Sequence, residues 1–78
     1  MPAKYEFEPS PSVEIIVNDQ PQQVPDGSTV AQLLERLELS RRHVAVEVNR
    51  ELVPRARHTE HRLAEGDRLE IVTLVGGG

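Results

Sequence analysis

The chain has no cysteine. A disulfide framework, a thiolate metal site and a thiol nucleophile are therefore excluded. Aromatic residues are almost missing, with only Tyr5 and Phe7 and no tryptophan. A single-strand nucleic-acid module stacks bases on aromatic side chains along a strand face, so that class is disfavoured. Nine basic against 13 acidic side chains give a net charge of −4, which argues against general binding to phosphate backbones. The only lysine is Lys4, and no glycine-rich loop precedes a helix with a lysine, so no phosphate loop is visible. No apolar run approaches the roughly 20 residues that a membrane helix needs. The opening MPAKYEFEPSPS has no apolar h-region and does not read as a signal peptide. These absences set three expectations: no nucleic-acid partner, no membrane, and the cytoplasm as default location.

What remains is a chain of 78 residues, long enough for one domain and too short for two. Hydrophobic residues at 37% and charged residues at 28% are a globular balance rather than a disordered one. Residues 1–12 differ from the rest. Pro2, Pro9 and Pro11 punctuate an acidic stretch in which Tyr5 and Phe7 alternate with Glu6 and Glu8. The alternation fits a short extra strand, but the bracketing prolines favour a loose leader.

From Val13 the pattern becomes regular. Val13, Ile15 and Val17 alternate with Glu14, Ile16 and Asn18, which predicts a strand over Val13–Asn18 and a turn at Asp19-Gln20. Pro21–Pro25 predicts a second strand, confined to an edge because proline cannot donate to a central ladder. Val30, Leu33, Leu34 and Leu37 fall at i, i+3, i+4 and i+7 and predict a helix over Thr29–Leu39. Thr29 and Gln32 have capping-box spacing, with Ser28 as the competing cap, and Arg41 and Arg42 follow where the helix dipole is negative. Val44, Val46 and Val48 alternate with Ala45, Glu47 and Asn49 in a third strand, and Asn49-Arg50-Glu51 turns the chain. Leu52-Val53 is a short apolar stub stopped by Pro54. After the polar stretch Arg55–Arg62 and the turn Glu65-Gly66-Asp67, Arg68–Leu74 is the last strand.

One helix against one mixed sheet of four to five strands is a two-layer α+β domain. The first and last strands are the most apolar and should be central. As neighbours they must run parallel, because the helix and a third strand intervene. This is the β-grasp arrangement.

Conventional active sites are absent from the pattern. Ser10, Ser12, Ser28 and Ser40 lie in no G-x-S-x-G elbow. His58-Thr59-Glu60 matches half of a zinc-deaminase signature whose cysteine half is missing. His58 and His61, three apart, make a poor zinc site without a third ligand and read as solvated side chains. Arg50, Arg55, Arg57 and Arg62 gather near these histidines. They would suit docking of an acidic partner, yet Glu51 and Glu60 lie among them, and a solvated loop is the favoured reading. The outer sheet face is more informative. Ile16, Ala45, Val72 and Leu74 face away from the helix beside Glu14, Glu47 and Glu70. An apolar cluster ringed by acids on a face that water normally covers points to protein binding.

The strongest single feature is the end of the chain, where Gly76, Gly77 and Gly78 follow directly on a core strand. Without side chains such a segment enters a narrow tunnel and takes any backbone angle. Val75–Gly78 reaches about 13–14 Å beyond the sheet. The terminal carboxylate is ionised at neutral pH and unreactive until activated. Adenylation would convert it to a mixed anhydride whose unhindered carbonyl is open to sulfur or nitrogen.

This tail, preceded by Glu65-Gly66-Asp67-Arg68-Leu69-Glu70-Ile71-Val72, resembles the end of the ThiS family, sulfur carriers of thiamin biosynthesis. The first strand running into Asn18-Asp19, the helix opening Thr29-Val30, and the run Val46-Glu47-Val48-Asn49 through Val53-Pro54-Arg55 are similar to that family as well. The resemblance covers residues 13–78. It implies a β-grasp body with no bound cofactor, acting as a cosubstrate and not as an enzyme. It implies that Gly78 is adenylated by a ThiF-type adenylyltransferase using ATP and Mg²⁺, and then converted to a thiocarboxylate through a sulfur-relay protein that draws on cysteine. The sulfur would pass to thiazole synthase. Gly76 and Gly77 would supply reach, and Ile16, Ala45, Val72 and Leu74 would bind partners. Family members often carry an aromatic residue where this chain has His58.

The expected organisation is a loose extension over 1–12, a β-grasp domain over 13–75 and a flexible glycine tail over 76–78. Two other readings remain at this point. One is a related carrier for molybdopterin, tRNA thiolation or protein conjugation. The other is a ubiquitin-like interaction module whose glycines are incidental.

Overall fold

A computed structural model of the chain describes residues 11–40 and 43–74. Three expectations lie outside these residues: the strand-like alternation at Tyr5–Glu8, the placement of Arg41 and Arg42 after the helix, and the tail from Val75 to Gly78.

Five strands and one α-helix follow in the order β1 (Ser12–Val17), β2 (Gln20–Pro25), α1 (Val30–Arg36), β3 (Val44–Val48), β4 (Glu51–Val53) and β5 (Arg68–Thr73). The strands form one sheet in the order β2-β1-β5-β3-β4. β1 and β5 run parallel, β5 is the middle strand, and the other pairings are antiparallel. One helix on a five-stranded mixed sheet is the β-grasp fold expected from the alternation pattern. The apolar stub at Leu52-Val53 lies in β4, an edge strand, and the proline-bearing β2 is the other edge.

Both hairpins close with two-residue turns. Val17 faces Gln20 across Asn18 and Asp19, whose φ values are 50° and 70°. Val48 faces Glu51 across Asn49 and Arg50, at 52° and 72°. Positive φ at both central residues is the type I′ pattern, whose twist matches that of paired strands. The first strand therefore ends at Val17 rather than Asn18, and the turn falls one residue earlier than the sequence predicted. Asn tolerates the left-handed region better than Gln, which settles the register.

The helix is shorter than its apolar stripe. At its start the capping box forms: the Thr29 hydroxyl accepts from the Gln32 N–H at 3.2 Å, and Gln32 Oε1 accepts from the Thr29 N–H at 2.9 Å. Ser28 is not the cap; its hydroxyl donates to the Pro25 carbonyl at 2.6 Å. The next orphan donors, the Val30 and Ala31 N–H groups, reach the carbonyls of His61 and His58 at 3.0 and 2.9 Å. The helix ends at Arg36 because Glu38 enters the left-handed region at φ 60°. Its N–H then reaches the Glu35 carbonyl and the Leu39 N–H reaches the Leu34 carbonyl, which is a Schellman termination without glycine.

Ile15, Val17, Val30, Leu33, Leu34, Val46 and Leu69 are buried between helix and sheet, joined by Val24, Val44, Val48, Val53, Leu63 and Ile71. Leu37 and Leu39 pack at the margin, half-buried. His58 departs from expectation. It is 1% exposed rather than solvated, with Nε2 3.1 Å from the Val53 carbonyl. It follows the one-turn 3₁₀ helix Arg55–Arg57, and its own carbonyl receives the Ala31 N–H. The ring therefore fills the space between β4 and the helix start.

Candidate functional site

The geometry of β5 decides how the end of the chain is presented, since β5 leads into it. Two asparagines anchor this strand from opposite sides. Asn18 acts as a surrogate strand residue beyond the end of β1. Its Oδ1 accepts from the Ile71 N–H at 2.9 Å, and its Nδ2 donates to the Ile71 carbonyl at 3.1 Å. Asn49 does the same at the other end. Its Oδ1 accepts from the Arg68 N–H at 3.0 Å, and its backbone N–H donates to the Arg68 carbonyl at 2.7 Å. Asn49 Nδ2 also donates to Asp67 Oδ1 at 3.0 Å, and Asp67 Oδ2 accepts from the Ala64 N–H at 2.8 Å.

The turn before β5 is tied to β1. Gly66, at φ 86°, donates its N–H to the Glu14 carbonyl at 2.8 Å, and the Glu14 N–H donates to Glu65 Oε1 at 3.0 Å. The positive φ explains the glycine. The Glu65-Gly66-Asp67 turn and the two asparagines thus share one physical task, fixing β5 in register. The ladder continues one residue past the strand, where the Leu74 N–H donates to the His43 carbonyl at 2.7 Å. Gly76, Gly77 and Gly78 follow four residues or fewer beyond that last bond, outside the described residues.

On the outer sheet face the four expected docking residues do not form one patch. Ala45 and Val72 are direct partners across β3 and β5, and Leu74 lies two residues further along. Val72 is 56% and Leu74 49% exposed, while Ala45 is half-buried. Ile16 is also half-buried, but it is level with Arg68, four residues from Val72 and about 13 Å along the strand direction. Alternation gave the correct face for all four; the offset between two parallel strands is not readable from it.

Two features of this face were missed. Leu52, at 63%, is more exposed than Val72 or Leu74 and lies opposite Glu47. Glu47 in turn lies directly opposite Glu70. Like charges facing each other across an antiparallel pair are destabilising. The ion pairs among the described residues, Arg57–Glu60 and Arg68–Asp19, involve neither of them. The alternation of Glu47 and Glu70 with apolar residues was visible in the sequence; their pairing needed the register.

Of the histidines and arginines, Arg57, His61 and Arg62 line one hollow together with Glu51 and Glu60, and the others lie apart. His58 is buried, His61 is half-buried, and among the described residues no three His, Cys, Asp or Glu side chains are placed to hold a metal. Arg50 occupies the β3–β4 turn, Arg55 is exposed, and Arg57 and Arg62 flank the free edge of β4.

Comparison with known proteins converges on the same body. Over 66 residues the chain is 33% identical to the sulfur carrier protein ThiS of Escherichia coli strain K12, covering 85% of this chain and 100% of that one. It is 36% identical over 66 residues to the thiazole synthase of Paramagnetospirillum magneticum, of which it spans 20%. The crystal structure of the thiamine biosynthesis protein ThiS from Geobacter metallireducens superposes with a TM-score of 0.72 at 29% identity, covering 85% of this chain and 100% of that one. The ThiS family model matches residues 10–78, a span that holds both asparagine anchors, the Glu65-Gly66-Asp67 turn and the glycine end: the chain belongs to the ThiS family.

Proposed function

We propose that this protein is a sulfur carrier of thiamine biosynthesis, a cosubstrate whose reactive group is the Gly78 carboxylate. The observation that carries the reading is the match to a sulfur carrier along that relative's whole length, on a body whose central strand runs into a triple-glycine end. In the first step a carboxylate oxygen of Gly78 attacks the α-phosphorus of ATP on a ThiF-type adenylyltransferase, with Mg²⁺ at the phosphates, and pyrophosphate leaves. The terminal sulfur of a persulfide on a relay protein then attacks the carbonyl and AMP leaves, giving an acyl disulfide; a thiol attacks the relay sulfur of that S–S bond, forming a new disulfide and releasing the thiocarboxylate. Its sulfur passes to thiazole synthase. That a thiazole synthase carries a segment similar to this chain supports the pairing.

In this reading the folded body contributes position and recognition. β5 is held in register from Arg68 to Leu74, so the chain beyond starts from a fixed point, and four residues can reach at most about 13–14 Å from it. Gly76 and Gly77 let that segment follow a narrow channel. Val72, Leu74 and Ala45 dock partners near the exit, with Ile16 at the far end of the same face. Catalysis belongs to the partners, and the cytoplasm, where ATP is supplied, is the place of action.

The test is intact-protein mass spectrometry after incubation with a ThiF-type enzyme, ATP, Mg²⁺, a persulfide-bearing relay protein and a thiol reductant. The reading predicts exchange of one oxygen for sulfur, located on the C-terminal residue by fragmentation. A sulfur found elsewhere, or none in the presence of an active enzyme that loads its own ThiS, overturns it. Thiamin-free growth of a carrier-deficient host rescued equally well by the chain without Gly78 would also overturn it.

A further inference from the structure

Among the described residues the large apolar side chains left exposed are Leu52, Val72 and Leu74. All three lie on the sheet face turned away from α1: Leu52 is level with Glu47, while Val72 and Leu74 alternate with the buried Ile71. Single exposed aliphatics need no explanation, but three gathered on one face mark a surface that another protein covers. Between them runs a row across β4, β3 and β5, formed by Leu52, Glu47 and Glu70. Adjacent strands lie about 4.8 Å apart, so the row is about 10 Å wide.

Glu47 and Glu70 are direct partners across the ladder, which puts their Cβ atoms about 4.5–5.5 Å apart at a cost in stability. Neither enters an ion pair with a described residue. Arginines are near. Arg50 and Arg68 line a shallow hollow with Asp19, Glu47 and Glu70, but Arg68 is paired with Asp19 at 3.3 Å, and Arg50, in the β3–β4 turn, pairs with neither glutamate. Three carboxylates against two guanidinium groups leave the glutamate pair short of one cation. The other side of the pair is apolar, since Ala45 faces Val72 and Leu74 follows. A second copy of the chain would bring the same carboxylates and be repelled. Among the described residues no third ligand joins the two glutamates to hold a metal.

We propose that this row receives an arginine side chain of the partner that activates the tail, a proposal that rests on the sulfur-carrier reading. The planar guanidinium donates to both carboxylates, and its stem and neighbouring aliphatic side chains cover Leu52 and Val72. The repulsion between Glu47 and Glu70 is relieved only in the complex, so the pair trades stability of the free carrier for selection of a cationic partner. The contact extends the docking surface from the exit of β5 across β3 to the edge at Leu52.

The experiment measures binding of a ThiF-type adenylyltransferase to the full chain by calorimetric titration, beside urea unfolding of each variant. Glu47→Gln with Glu70→Gln is expected to weaken binding at least about tenfold at low salt, and the difference is expected to shrink as salt is added. Leu52→Ala is expected to weaken it at least about fivefold. Glu35→Gln, an equal loss of charge on the helix side, is expected to change it less than about twofold. The double variant is expected to keep or raise the urea midpoint, so weaker binding beside equal or greater stability is not structural damage. Should it unfold early instead, Glu70→Gln alone is expected to weaken binding at least about threefold. Unchanged affinity in the glutamate variants, an equal loss in Glu35→Gln, or no binding to an enzyme that binds its own carrier would each overturn the proposal. Every variant keeps Gly78, so a double variant that binds and is adenylated like the parent overturns this proposal and leaves the carrier reading standing. A parent chain that binds as described but is never adenylated overturns the carrier reading instead.

Discussion

Replacing Asn18 tests the anchoring of β5 at one residue. The Ile71 N–H and C=O point toward β1 where that strand has already ended, and the Asn18 amide satisfies both, at 2.9 and 3.1 Å. A net contribution of about 1 kcal/mol per hydrogen bond puts the loss in Asn18→Gly at about 2 kcal/mol, since glycine keeps the turn conformation at φ 50°. Asn18→Ala loses the same two bonds and adds about 1 kcal/mol because alanine lacks the polar side chain that lets asparagine tolerate the left-handed region, giving about 3 kcal/mol. Urea unfolding of the two variants beside the parent measures both numbers. In a domain of this size each kcal/mol lowers Tm by roughly 4–8 °C, so thermal unfolding provides a second reading. Amide exchange adds location: the Ile71 N–H should lose protection in both variants, while that of Leu33 in the helix follows only global stability. A loss below about 0.5 kcal/mol in Asn18→Gly, or unchanged protection at Ile71, would refute the argument that the side chain replaces a strand.

Three further outcomes follow from the same geometry. Glu38→Gly should stabilise the domain by about 1 kcal/mol in urea, because the Schellman position at φ 60° then carries no Cβ. His58→Ala should cost about 3–5 kcal/mol, through the cavity left by a 1% exposed ring and the lost bond to the Val53 carbonyl, and His58→Phe should recover most of the packing share of that loss. Glu70→Gln should raise stability by about 0.2–1 kcal/mol in urea by relieving repulsion from Glu47.

The sequence announced the fold wherever neighbouring residues carry the information. Val44, Val46 and Val48 alternate, Val30, Leu33 and Leu34 share a helical stripe, and Pro21 marks an edge; each became the element it predicted. Errors arose where contacts distant in sequence decide. The helix runs to Leu39 by pattern alone, because Leu37 and Leu39 still pack on the core; the stop at Glu38 lacks the glycine that would have marked it. His58 sits in a polar run, and only the approach of that loop to the start of α1 buries it. Ile16 shares a face with Val72, but the parallel register of β1 on β5 sets them apart. The glycine end needed no structure to be noticed. Why Asn18, Asn49 and Gly66 accompany it needed the hydrogen bonds that hold β5.

The most direct measurement of the central claim is Gly78-dependent exchange of labelled pyrophosphate into ATP, catalysed by a ThiF-type adenylyltransferase with Mg²⁺. The account predicts exchange with the intact chain and none after removal of Gly78, with the truncated chain showing an unchanged urea midpoint. Exchange that persists without Gly78, or that never appears with an enzyme active on its own carrier, would contradict it.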